Sequence, residues 1–141
     1  MYKKILVAND GSDRARKAFD CAVEMAACFQ AELHMISVEE DLPYHAETMK
    51  MEVRETKAIE DTYFGELAIH CKLRAKLRGV YLETAIRPGH EVQSIVNVAR
   101  EGQFDLLIVG FMGHGRAFGR LWGGTSQKLA TTAPCPVLVV K

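Results

Sequence analysis

The chain has 141 residues, the size of one ordinary domain, so residues 1–141 are expected to fold as a single unit around one core. Lysine plus arginine and aspartate plus glutamate each number 18, giving a formal net charge of zero and no global basis for attraction to nucleic acid or an anionic membrane. No apolar run reaches membrane-spanning length, and the four cysteines form no CxxC pair, which favours small buried hydrophobes in a reducing cytoplasm over zinc ligands or disulfides.

Lys3 to Asn9 holds the run Ile5-Leu6-Val7-Ala8, continuous rather than alternating, as a strand buried on both faces requires. Asp10 to Asp13 supplies a turn and an N-cap, and Ala15, Ala18, Ala22, Ala26 and Phe29 recur at helical spacing to about Gln30. Leu33 to Val38 predicts a second strand, and the acidic segment from Glu39 to Pro43 an irregular connection. From Glu47 to Leu77 the positions Met49, Val53, Ile59, Tyr63, Leu67 and Cys71 step at roughly helical intervals, predicting one long helix with a bend near Gly65. Gly79 closes it. Val80 to Ile86 is the third strand, Arg87-Pro88-Gly89 a turn, and Glu91 to Arg100 a helix carrying Val92, Ile95, Val96 and Ala99. Phe104 to Gly110 is the fourth strand, Thr125 to Thr132 a short helix stopped by Pro134 and Pro136, and Val137 to Val140 the last strand.

Strands alternating with helices, without hairpin-length connections, define the α/β class: a doubly wound, Rossmann-like, five-stranded parallel sheet with helices on both faces. In such sheets ligands bind beyond the carboxyl ends of the strands, where strand order reverses. Asp10 and Gly110 both stand at carboxyl ends, so two distant segments converge on one candidate site.

The segment after Gly110 combines Gly113, Gly115, Gly119, Gly123 and Gly124 with Arg116, Arg120, Thr125 and Ser126, a composition suited to holding anionic groups. Gly119 to Ser126 has the outline of a P-loop, but Thr125 stands where that loop needs lysine. Gly113-His-Gly115-Arg-Ala-Phe-Gly119 is one residue too long for the dinucleotide fingerprint and follows the fourth strand instead of the first. Arg116 and Arg120 either supply the charge of the missing lysine or serve as loop or dimer contacts. Trp122 and Phe118 read as anchors of the loop or of an interface. His90 and His114 are placed toward the crevice without a paired carboxylate or nucleophile in view, and His34, His45 and His70 show no metal-ligand spacing.

These residues resemble the universal stress protein family over the whole chain. The match rests on Asp10-Gly11-Ser12 after the first strand, the acidic loop before a long helix, a loop of the form G-x2-G-x9-G-[ST] at Gly110, Gly113 and Gly123, and the closing Ala133-Pro-Cys-Pro-Val-Leu-Val-Val140. The chain departs from the pattern at Gly124, where serine or threonine is expected, with hydroxyls following at Thr125 and Ser126. The resemblance implies an adenine site at Ala8, Asp10 and Val38, closed by Gly110, and a phosphate site at Gly113, Gly123, Gly124, Thr125 and Ser126. It implies ATP, ADP or AMP as ligand, Mg2+ held through the phosphates, and a homodimer formed through the last strand. The implied role is stress-related or metabolic regulation with at most slow ATP hydrolysis. Two other readings stay open: a dimerising module that has lost its nucleotide, and a true nucleotide hydrolase or transferase. Asp10 also suits a turn or helix cap, and both roles could coexist.

Overall fold

The computed structural model describes residues 1–40, 50–111 and 124–141, with residues 50–61 as backbone only. In chain order the elements are β1 (Lys4–Ala8), α1 (Asp13–Phe29), β2 (Glu32–Glu39), α2 (Lys50–Leu77), β3 (Leu82–Pro88), α3 (Glu91–Glu101), β4 (Leu106–Gly110), α4 (Thr125–Thr132) and β5 (Val137–Val140). All strand pairs are parallel and the order is β3-β2-β1-β4-β5, so β1 lies at the centre, where the winding reverses.

The continuous apolar runs are explained by burial on both faces. Ile5 and Val7 point into one core cluster with Ala18, Phe19, Ala22 and Ala26 of α1 and Phe64, Leu67, Cys71 and Ala75 of α2. Leu6, Ile36, Leu107 and Val109 point the opposite way, into a cluster with Ile95, Val96 and Ala99 of α3 and Leu129 of α4. The alanines let α1 lie close to the sheet. Phe29, read from the sequence as part of that stripe, instead reaches the surface and meets Tyr2 edge-on at 5.7 Å between ring centroids.

Three expectations are corrected. β3 runs two residues later than predicted, because Arg87 and Pro88 continue the ladder opposite Val38 and Glu39. Proline is tolerated there because β3 is an edge strand with one side of its backbone unpaired. α2 is continuous through Gly65; the predicted start at Glu47 lies outside the described residues. All four cysteines are free thiols, but Cys28 is exposed, and only Cys71 among them is buried. Burial pushes the Cys71 thiol up to about 11, against the opposing pull of Arg74.

Candidate functional site

The site is built where β1 and β4 end. After Ala8 the chain turns sharply into α1, and local side chains hold the turn. The buried Asn9 accepts from Gly11 N–H through Oδ1 at 2.9 Å, and Asp10 Oδ1 accepts from Ser12 N–H at 2.9 Å. Ser12 then caps α1 by accepting from Ala15 N–H at 3.3 Å. Gly11 sits at φ +82°, where a side chain is strained, and its missing Cβ leaves room for the Tyr63 hydroxyl. That hydroxyl, from α2, donates to the Asp10 carbonyl at 3.0 Å. On the other side Ser37 donates to the Asn9 carbonyl at 2.7 Å, and the Asn9 amide faces the sulfurs of Met35 and Cys71 at 3.4 and 3.5 Å.

β4 ends on Gly110, and here absence of a side chain is a packing requirement. A Cβ would lie 2.7 to 2.9 Å from the backbone of Arg14 and Ala15, so only glycine lets the first turn of α1 close over the strand end. When the chain returns, Gly124 is the N-cap of α4, with φ −63° and no side-chain capping bond. Thr125 and Ser126 form its first turn. Thr125 Oγ1 donates to Glu91 Oε2 of α3 at 3.2 Å.

Between these two junctions lies a cleft. It is lined by Ala8, Asp10, Val38, Gly110, Thr125 and Ser126, all singled out from sequence, together with Asn9, Ala15, Ile36, Glu91, Ile95, Val109 and Leu129. Gly124 immediately precedes the lining helix. Gly113, His114, Arg116, Phe118, Arg120, Trp122 and Gly123 lie outside the described residues. Ile36, Val38 and Ile95 make an apolar wall, while Asp10 and the hydroxyls of Thr125 and Ser126 supply polar groups at separate positions. Such a cleft can hold a flat apolar ring at one side and a polar or anionic group where α4 begins.

Sequence reasoning missed Asn9 and Glu91. Asn9 could have been found as the polar residue ending a fully buried strand, whereas Glu91 gave no signal beyond its place at a helix start. His90, expected near the crevice, is the exposed N-cap of α3 and does not line it. His34 sits elsewhere, between Glu32 and Glu83 at 3.5 and 3.3 Å. Among the described residues no cluster of three histidine, cysteine or acidic side chains could hold a metal, and no helix is long and apolar enough to cross a membrane.

Strand order, helices on both faces and a cleft at the winding reversal define a doubly wound α/β protein with a ligand-type crevice. The universal stress protein family model matches residues 1–141, and the chain belongs to that family. Universal stress protein YxiE of Bacillus subtilis is 33% identical over 151 aligned residues, covering 100% of both chains. Universal stress protein UspA from Lactobacillus plantarum superposes with a TM-score of 0.91 at 27% identity, over 99% of this chain and 98% of that one. A universal stress protein crystallised in complex with cAMP has a TM-score of 0.72 at 28% identity, over 99% and 97% of the two chains.

Proposed function

We propose that residues 1–141 form one nucleotide-binding domain whose cleft takes an adenine nucleotide, and that the protein acts as a dimeric regulator in the cytoplasm. The observation that carries this reading is the convergence of Ala8, Asp10, Val38, Gly110, Thr125 and Ser126 on one cleft at the winding reversal. The relative in complex with cAMP supports it. In this reading Val38 covers the base, Asp10 accepts from the adenine amino group, and the phosphates reach the start of α4. Gly113, Gly123, Gly124, Thr125 and Ser126 would surround ATP, ADP or AMP, with Arg116 and Arg120 adding charge and Mg2+ entering through the phosphates. The ligand is held as a signal, with hydrolysis slow at most.

Mass spectrometry of acid-released ligand tests the reading: adenine nucleotide should accompany the purified protein. A ligand-free preparation that also fails to bind ATP, AMP and cAMP in calorimetric titration would leave the second reading, a dimerising module. Gly124 favours that alternative, because it leaves the N-cap of α4 without a hydroxyl and the first hydroxyls come only at Thr125 and Ser126.

For the dimer, β5 is the relevant edge. Leu107 and Phe111 N–H donate to the carbonyls of Pro136 and Val140 at 2.9 and 2.8 Å, so in this parallel ladder Val137 and Val139 turn their peptide groups away from β4. An apolar edge of this kind is protected when it pairs across a two-fold axis. Val139→Pro removes an outward donor without touching the bonds to β4, and should shift the protein toward monomer in sedimentation. A Val139→Pro protein that remains dimeric moves the interface elsewhere.

A further inference from the structure

α2 carries apolar side chains on two opposite sides. Phe64, Leu67, Cys71 and Ala75 are buried in the core cluster with β1 and α1, and Arg74 and Arg78 fasten the same helix to Asp20 and Glu24 of α1 at 2.6 Å each. Ile69, Leu73 and Leu77 stand one turn apart on the other side and are 63%, 60% and 86% exposed. A single exposed leucine is ordinary, and a helix on the surface of a monomer needs one apolar stripe; a second contiguous stripe turned to water calls for a covering partner. The neighbouring charges say which one. Glu66, Ile69, Leu73 and Lys76 follow at steps of three, four and three, the spacing of positions that face another helix in coiled-coil packing, and all four are exposed. The series runs acid, apolar, apolar, base, so an identical helix laid in the opposite direction complements it.

We propose that the outer face of α2 is a self-association surface that pairs antiparallel with α2 of a second copy, about a two-fold axis level with Cys71. In this pair Ile69 meets Leu73 of the second copy, Leu73 meets its Ile69, and each Glu66 meets a Lys76, the isologous arrangement that a two-fold axis requires. A parallel pair would instead set Glu66 against Glu66 and Lys76 against Lys76. The four positions span about 15 Å of helix, so the contact is smaller than the roughly 1,200 Å² of a stable interface and the pair is weak and concentration-dependent. α2 packs beside β3, at the sheet edge opposite β5. This contact is therefore separate from pairing through β5, and the two together would join dimers into larger assemblies.

The test is sedimentation of the full chain over a concentration series, in the parent and in Val139→Pro, where pairing through β5 no longer contributes. Leu73→Lys should raise the dissociation constant of this contact about a hundredfold, because a two-fold pair carries the substitution twice. Glu66→Lys and Lys76→Glu should each raise it about tenfold, and the double variant Glu66→Lys, Lys76→Glu should return to within about threefold of its background. Glu66 and Lys76 are ten residues apart, too far to pair within one helix, so that rescue reports contact between copies. Melting temperatures of dilute samples should match the background for every variant, since the substituted side chains are exposed. Association that Leu73→Lys leaves unchanged overturns the proposal, as does a double variant that sediments like the single ones. So does a Val139→Pro protein that is monomeric at every concentration while the parent stops at a dimer. Binding of the parent to anionic vesicles, abolished by Leu73→Lys and unaccompanied by self-association, would assign the stripe to a membrane surface and overturn it too.

Discussion

The chain passes from strand to helix on either side of the cleft, once after Ala8 and once after Gly110, and the two junctions are built on opposite plans. The first is short and satisfied by its own side chains: Asn9 and Asp10 accept from the turn, Ser12 caps α1, and Tyr63 fastens the Asp10 carbonyl to α2. At the second, α4 begins on a glycine that brings no acceptor, and the hydroxyl of Thr125 turns to a carboxylate from another helix. The difference divides the work of the cleft. A helix start capped from within has fewer donors to offer a ligand; one without its own cap is suited to an anion from outside. The first junction is thus closed by its own side chains, and the second reaches across to another helix.

The largest effect is expected where the junctions touch. Gly110→Val would push a branched side chain into the backbone of Arg14 and Ala15, which neither strand nor helix can move aside cheaply. Urea denaturation should report a loss of about 3 kcal/mol, the upper end for overpacking, together with loss of ligand binding. A protein of parental stability would mean that the two junctions do not constrain each other.

Gly11→Ala attacks the first junction alone. It combines a positive φ with displacement of the Tyr63 hydroxyl, and should cost about 2 kcal/mol in the same measurement. Asp10→Ala removes an acceptor from the cleft while leaving the helix cap of Ser12 in place. Affinity for ATP should fall by about 1 kcal/mol, and by up to about 3 if the acceptor is enclosed by the ligand, with discrimination against GTP reduced. Unchanged discrimination would leave Asp10 as a turn residue.

The finest comparison exchanges the caps. Ser12→Ala should destabilise by about 1 kcal/mol, whereas Gly124→Ser should stabilise by only about 0.3 kcal/mol, since glycine is itself a tolerable N-cap and a Cβ at Gly124 meets nothing within 4 Å. Equal and opposite changes would mean that the helix starts differ in residue but not in surroundings.

Much of this architecture was legible before any coordinates. Ile5 to Ala8 and the segment from Phe104 to Gly110 read as buried strands because a strand covered on both faces has no place for alternating polar residues. A helix cap within Asp10 to Asp13 was legible because capping involves neighbours three residues apart; the structure assigns it to Ser12. Ala8, Asp10, Val38, Gly110, Thr125 and Ser126 could be nominated from strand ends and family resemblance. Glu91 could not. Its partner Thr125 is 34 residues away, and no local pattern distinguishes a glutamate that complements its own helix from one that also serves another.

The sequence by itself therefore determined the element types, the alternation that forces a parallel sheet, and the two strand ends where a ligand could sit. Each follows from periodicity or from hydrogen bonding over a few residues. Only the tertiary structure decided that β3 extends through Pro88, that Gly110 is needed by the backbone of α1, and that one carboxylate joins the starts of α3 and α4. These depend on which elements become neighbours under the strand order β3-β2-β1-β4-β5, and a chain does not write its long-range neighbours into the residues beside them.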